Sequence, residues 1–106
     1  MSWLMICRHR ADASDLRELH RDAHRRHVAT GGNGTAKVLV GSALTGDDGE
    51  TPIGNFGVLE APSREAAQAF AENDPYALAG LVESIEIVAL ASRFQAQASR
   101  IEPMTR

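Results

Sequence analysis

The sequence predicts an α+β fold in which helices cover one face of an antiparallel sheet. Short runs of β-branched and apolar residues alternate with helical patterns in the order β-α-β-β-α-β. The two central strand patterns are separated by a short polar segment, residues 45–52, which is typical of a hairpin between antiparallel neighbours. The length of 106 residues suits one such domain.

The first half of the chain predicts a strand, a helix and a second strand. Residues 3–7 form an apolar strand, and Asp12 or Ser14 is positioned to cap the helix that follows. The glycine-rich residues 30–34 end this helix, and residues 36–44 form the second strand. The side of the helix expected to be buried carries Leu16, Leu19, Ala23 and His27.

The second half repeats this order. Residues 53–60 form the third strand, Ser63 is a good N-cap for the second helix, and residues 73–75 break that helix at a proline. A short turn then runs to about Leu81, and residues 84–90 form the fourth strand. The buried stripe expected on the second helix consists of Ala66, Ala67, Phe70 and Ala71. This order of elements is that of a ferredoxin-like domain.

We expect one domain over residues 1–92, followed by a weakly patterned tail over residues 93–106. The strands around Met5, Val38 and Val40 are apolar on nearly every residue, so both faces of the sheet need cover. A homodimer that packs sheet on sheet would cover the face that the helices leave open. The alternative is that the tail covers this face within one chain.

Composition excludes several classes of protein. Fourteen acidic residues against eleven basic ones give a net charge of −3, which argues against a nucleic-acid binder. No apolar run approaches the roughly 18 residues of a membrane span, and residues 3–7 are too short a run for the core of a signal peptide. A single cysteine, Cys7, leaves no internal disulfide. We therefore expect a cytoplasmic protein without membrane or nucleic-acid partners.

Three histidines of the first helix fall on one stripe. His20, His24 and His27 are spaced i, i+4 and i+7, and imidazoles one turn apart can share a zinc ion. The arginines between them would repel a cation, and no HExxH pattern is present. We therefore predict no metal site and favour a basic, solvated helix surface.

Three further residues could carry chemistry. Asp74 precedes Pro75 at a predicted helix start, where a carboxylate caps the helix, and the residues alone favour that role. A carboxylate can also orient a histidine and fix its tautomer, and the two roles are compatible. Tyr76, the single tyrosine, either donates a hydrogen bond to a ligand or packs its ring over the second helix. Ser42 carries a hydroxyl in the second strand, but no GxSxG pattern activates it as a nucleophile.

Several segments together resemble the YciI-like (YCII-related) proteins. Residues 57–61, 63–70 and 72–76 resemble the family's strand end, alanine-rich helix and Asp-Pro-Tyr element. Residues 21–24 resemble its first-helix motif, which ends in a histidine, and Gly41 falls where the family has a glycine at the end of strand two. The resemblance spans roughly residues 3 to 90.

The resemblance implies a ferredoxin-like fold assembled as a dimer through its sheets, of the dimeric α/β-barrel type. It also implies that His24 and Asp74 form an active-site pair. The chain departs from the family at residues 25–28, where the family has leucines, and at Ser42, where the family often has proline. Some relatives remove halide from hydroxylated aromatic compounds, and the fold is shared with muconolactone isomerases.

The expected function is therefore that of a small cofactor-free enzyme. His24 moves a proton on a cyclic or aromatic compound, in an isomerisation or an elimination, and Asp74 orients it. Tyr76, Ser42 and Arg21 are the expected contacts to this small-molecule substrate. The alternatives are a non-catalytic module that holds a small acidic metabolite, with His24 and Arg21 as contacts, and a structural dimer with surface histidines.

Overall fold

A computed structural model describes residues 1–94 of the chain. The elements in chain order are β1 (Ser2–His9), α1 (Ser14–Gly34), β2 (Lys37–Thr45), β3 (Pro52–Glu60), α2 (Arg64–Glu72), α3 (Pro75–Leu78) and β4 (Val82–Ala89). The predicted strands match these bounds to within two residues at each end. Most of the predicted C-terminal tail, residues 95–106, lies outside the described residues.

The four strands form one antiparallel sheet in the order β2-β3-β1-β4. The strand β1 pairs with β3 on one side and with β4 on the other, so the first strand of the chain lies inside the sheet. This arrangement confirms the α+β, ferredoxin-like fold predicted from the order of the elements.

The core lies between the sheet and the helices. Every second residue of β1 is buried, as expected of a strand with one face on a core. These residues are Trp3, Met5, Cys7 and His9. The first three pack with Phe70 of α2, which is almost completely buried. The alternation therefore continues to the end of the strand, where it buries a histidine.

The predicted buried side of α1 is wrong at Leu16 and Leu19, whereas Ala23 and His27 are partly buried as expected. Leu16 and Leu19 are 42% and 73% exposed, whereas Arg17 is only 9% exposed. Positions 17, 21, 24 and 28 follow the spacing i, i+4, i+7 and i+11, and it is this face that lies over the sheet. The reason is that the helix does not close onto the core along its whole length: it covers a cavity, where long polar side chains replace leucines.

The start of α1 also differs from the prediction. Neither Asp12 nor Ser14 caps the helix, since Ala13 occupies the N-cap position and makes no side-chain hydrogen bond there. The end of the helix is as predicted. Residues 31–33 leave the right-handed conformation, and a side chain at Gly31 would clash with the carbonyl oxygen of Ala36. Glycine is required where the helix turns back into β2.

The second helix begins as the sequence predicts. The Ser63 side chain accepts a hydrogen bond from the backbone N–H of Ala66 at 3.1 Å. Ala67, Phe70 and Ala71 are buried and Ala66 is partly buried, which confirms the predicted stripe. This short helix is therefore fixed by one cap and by one apolar face.

The face of the sheet opposite the helices carries a row of aliphatic side chains. Val40, Val58, Leu4 and Val88 are paired across β2, β3, β1 and β4 in that order. Val40 and Val88 are 49% and 40% exposed. Met5 and Val38, by contrast, pack on the helix side. Among the described residues, none of the helices has the length and hydrophobicity to cross a membrane.

Candidate functional site

A cavity of about 470 Å³ lies between α1 and the sheet. Its helix side is formed by Arg17, Arg21, His24, Arg25 and Val28. Its floor comes mainly from β1, β2 and β3, and Phe70 and Tyr76 close one side. A volume of this size suits a small organic molecule. Glycines occupy positions 41, 54 and 57 of the floor, and a side chain at Gly54 would clash with the backbone carbonyl of Cys7.

His24 and Asp74 meet at the wall of this cavity. The Nδ1 atom of His24 lies 2.9 Å from Oδ1 and 2.8 Å from Oδ2 of Asp74. The two side chains are 16% and 6% exposed. Because a carboxylate only accepts hydrogen bonds, Nδ1 carries the proton. The other ring nitrogen, Nε2, makes no hydrogen bond within residues 1–94, and His24 is one of the residues that line the cavity.

The position of Asp74 is set by local structure. Its Oδ1 atom accepts a hydrogen bond from the backbone N–H of Tyr76 at 2.9 Å, so that the carboxylate is the N-cap of α3. Pro75 occupies the first position of this helix, where its fixed φ angle is favourable. The carboxylate therefore caps α3 and holds the histidine of α1 at the same time, and the two elements are joined through it.

Tyr76 places its ring against His24. The two rings are stacked with their centres 4.1 Å apart and an angle of 11° between their planes. The Tyr76 hydroxyl donates to the backbone carbonyl of Arg17 at 3.4 Å, and burial raises the pKa of this hydroxyl. The imidazole of His24 is thus held by a hydrogen bond at its edge and by an aromatic ring on its face.

A second histidine in the cavity was not predicted. His9, at the end of β1, is 8% exposed, and its Nε2 lies 3.0 Å from Oδ1 of Asn55. Burial lowers the pKa of His9, and the positive charge of Arg17 acts in the same direction. With Nε2 donating to Asn55, the Nδ1 atom of this ring is an acceptor, and it has no partner in the part of the chain that the structure describes. The alternation of buried residues along β1 is the signal that could have identified His9.

The structure places the other predicted contacts differently. Ser42 borders the cavity, but it is paired with Phe56 on the open face of the sheet, and its hydroxyl donates to the backbone carbonyl of Ala43 at 2.9 Å. Arg21 also lines the cavity and pairs with Glu18 at 2.9 Å. Arg17, which sequence reasoning left unused, is the buried arginine of the site.

The histidine stripe of α1 does not converge on one point. His24 contacts Asp74, whereas Nε2 of His27 donates to the backbone carbonyl of Phe70 at 2.8 Å. Within residues 1–94, no three His, Cys, Asp or Glu side chains are arranged to hold a metal ion. Burial raises the pKa of Cys7 to about 12, and its thiol is therefore packed and unreactive at neutral pH.

The chain is similar to known proteins in both sequence and structure. Residues 1–91 match the YCII-related domain. The structure is similar to that of 5-chloro-2-hydroxyhydroquinone dehydrochlorinase (TftG) from Burkholderia phenoliruptrix AC1100, solved in complex with 2,5-dihydroxybenzoquinone. The TM-score is 0.72 and the sequence identity 26%, over 86% of this chain and 94% of that chain. A weaker likeness, with a TM-score of 0.47 and 8% identity over 89% of this chain and 97% of the other, is to At3g17210 from Arabidopsis thaliana. No curated protein sequence matches the chain.

Proposed function

The chain belongs to the YCII-related domain family, and we propose that it is a small cofactor-free enzyme that eliminates halide from a hydroxylated aromatic or cyclic compound. One observation carries the proposal: the 2.8 Å contact between His24 Nδ1 and Asp74 at the wall of a cavity large enough for such a compound. The likeness to a dehydrochlorinase with a bound dihydroxybenzoquinone supports the same class of substrate.

In the proposed reaction His24 acts as the base. Its free Nε2 removes a proton from a hydroxyl or ring carbon of the substrate, while Asp74 holds the ring in place and stabilises the imidazolium that forms. The electron pair left by the proton forms a new double bond within the substrate. The halide leaves with the electron pair of the carbon–halogen bond. One proton and one halide are released, so the step needs no external oxidant.

Two of the remaining predicted residues have supporting roles in this proposal. Tyr76 holds the His24 ring from one side and limits the space in which a flat substrate can lie. Arg21 lies in the cavity wall, where it contacts polar groups of the substrate. Ser42 has no such role in this proposal, because its side chain lies on the open face of the sheet.

Chloride release tests the proposal. We expect the purified protein to release chloride from 5-chloro-2-hydroxyhydroquinone, or from another member of a panel of chlorinated hydroquinones, lactones and dihydroxybenzoates, under anaerobic conditions that prevent oxidation by air. Heat-inactivated protein is the blank. No release above the blank across the panel would contradict the elimination. Ligand binding without conversion would favour the non-catalytic alternative.

We also propose that the chain forms a homodimer through the open face of the sheet. The row formed by Val40, Val58, Leu4 and Val88 gives this face the apolar character of a sheet-to-sheet interface. A twofold axis would place the same row on both partners.

Light scattering coupled to gel filtration tests the dimer. We expect wild-type protein at twice the monomer mass, and the double variant V40E/V88E at the monomer mass, because four charges would be buried in the interface. Both side chains are exposed in one chain, so the fold should remain. The control is Leu19→Glu, since Leu19 is equally apolar and more exposed but lies on α1. A monomeric wild-type protein would contradict the proposal.

A further inference from the structure

The helix face above the cavity carries an unusual concentration of positive charge. Three arginines of α1 line the cavity, and no aspartate or glutamate is among its lining residues in the part of the chain that the structure describes. We propose that the substrate carries a carboxylate, and that Arg17 binds it. The inference rests on the proposed function to the extent that the same cavity holds the substrate.

Of these three arginines, only Arg21 is paired with an acidic group among residues 1–94. Asp74 is engaged by His24 and by the N-terminus of α3. Glu18 pairs with Arg21. Over residues 1–94, Arg17 and Arg25 have no ion-pair partner. The electrostatic potential of the cavity therefore favours an anion.

Arg17 is the best anchor because of its burial. It is 9% exposed, its Nε atom is buried without a hydrogen-bond partner, and Nη2 reaches the backbone carbonyl of Pro52 only at 3.4 Å. Burying a guanidinium without a counter-charge is unfavourable for folding. The Tyr76 hydroxyl donates to the backbone carbonyl of residue 17, and this bond would form with any residue type at that position. The fold alone therefore does not account for an arginine at this position.

In this proposal the carboxylate binds the guanidinium of Arg17 through two hydrogen bonds. The Nε and Nη2 atoms lie on one edge of the guanidinium, and a carboxylate binds such an edge through two parallel hydrogen bonds. It would displace the long contact to Pro52 at the start of β3. A neutral hydroxyl gains much less from this edge, because hydrogen bonds between two charged groups are about twice as strong as neutral ones.

The distance to His24 fits a ring compound. Arg17 and His24 are seven residues apart on one helix face, which corresponds to about 10 Å along the helix axis. With its carboxylate bound to Arg17, the substrate would have its ring between Arg17 and His24. The side of the ring opposite the carboxylate would then face Nε2 of His24. Arg25, beside His24 at the exposed end of the cavity, attracts the anion from solution.

Calorimetric titration with two matched probes tests the inference. The probes are 2,5-dihydroxybenzoate and 2,5-dihydroxybenzyl alcohol, which differ in the carboxylate alone. We expect the wild-type protein to bind the carboxylate more tightly by a factor on the order of 10 to 100. Arg17→Met, which keeps an unbranched side chain of similar length, should abolish this preference.

Two further variants make the result specific. Arg26→Met removes the same charge from an exposed position of α1 outside the cavity and should retain the preference. Arg17→Lys keeps the charge without the double hydrogen bond and should show an intermediate preference. If circular dichroism shows that the Arg17→Met variant is unfolded, the Arg17→Lys variant takes its place as the test.

The inference fails if the wild-type protein binds neither probe or binds both equally, or if the Arg17 variant keeps the preference. The proposed function can fail separately. A protein that releases no chloride but shows the Arg17-dependent preference would contradict the elimination and support the carboxylate site. A protein that releases chloride without the preference would support the elimination alone.

Discussion

Replacement of His24 by asparagine is expected to lower the rate of chloride release by a factor of about 10² to 10⁴. The asparagine amide can still donate to Asp74 from roughly the position of Nδ1, so the contact that joins α1 to α3 is retained. The variant lacks Nε2, however, and with it the only nitrogen of the pair that can accept a proton from the substrate. Initial rates at saturating substrate measure the effect, because kcat reports the loss of the base.

The matched control for this experiment is His20→Asn. His20 lies on the same helix but is not among the residues that line the cavity. Its replacement should leave kcat within twofold of the wild-type value. If His24→Asn retained wild-type kcat, His24 would not be the base, and the mechanism proposed above would have to be abandoned.

The second large effect is expected at Asp74. Asp74→Ser keeps a side-chain oxygen that can cap α3 but is too short to reach His24. Without the carboxylate the imidazole loses its orientation and its fixed tautomer, and kcat should fall by about 10² or more. The free energy of unfolding should fall less than in Asp74→Ala, where loss of the cap adds about 1 kcal/mol to the destabilisation. Urea unfolding followed by circular dichroism measures the difference.

Ser63→Ala is the control for the loss of a cap. Ser63 caps α2 and is not part of the cavity, so its replacement should lower stability by about 1 kcal/mol and leave kcat unchanged. If Asp74→Ser and Ser63→Ala had the same kinetic effect, Asp74 would act through the fold alone. A fully active Asp74→Ser variant would equally exclude the proposed role in orienting His24.

The features that the sequence predicts well are those with a local cause. Ser63 and Asp74 cap helices because a short polar side chain precedes a helical pattern, and the structure shows both caps. The glycines after Thr30 end α1 because the backbone there adopts positive φ angles. The order of the elements along the chain is that of a ferredoxin-like domain, and the structure confirms this fold.

Local sequence signals do not predict which face of α1 lies over the sheet. Leu16 and Leu19 are the natural residues to bury, and the helical spacing that contains Arg17 and His24 has fewer apolar positions. A prediction from hydrophobic periodicity assumes that a helix packs onto an apolar core. The helix α1 covers a cavity instead, and polar residues can face a cavity. For the same reason His9 was overlooked: a polar residue at the end of an apolar strand is normally read as the start of a loop.

The pairing of His24 with Asp74 is a long-range feature. The two residues are separated by fifty positions, and the local signal at Asp74 favours a cap. The resemblance to the YCII-related family singled them out, and the structure brings them into contact. Three arginines on one helix face, in contrast, are visible in the sequence, but their burial and their partners are not.

Because the Asp74 carboxylate both caps α3 and contacts His24, the orientation of His24 depends on whether the short helix α3 is formed. The helix α3 has four residues and too few internal hydrogen bonds to be stable alone, so it opens more readily than the sheet beneath it. When α3 opens, the Asp74 carboxylate moves away, and His24 loses the hydrogen bond that keeps its proton on Nδ1. On warming, the proposed chloride release should therefore be lost at a lower temperature than that at which the domain unfolds. A bound ligand that immobilises His24 should raise the temperature of that early loss.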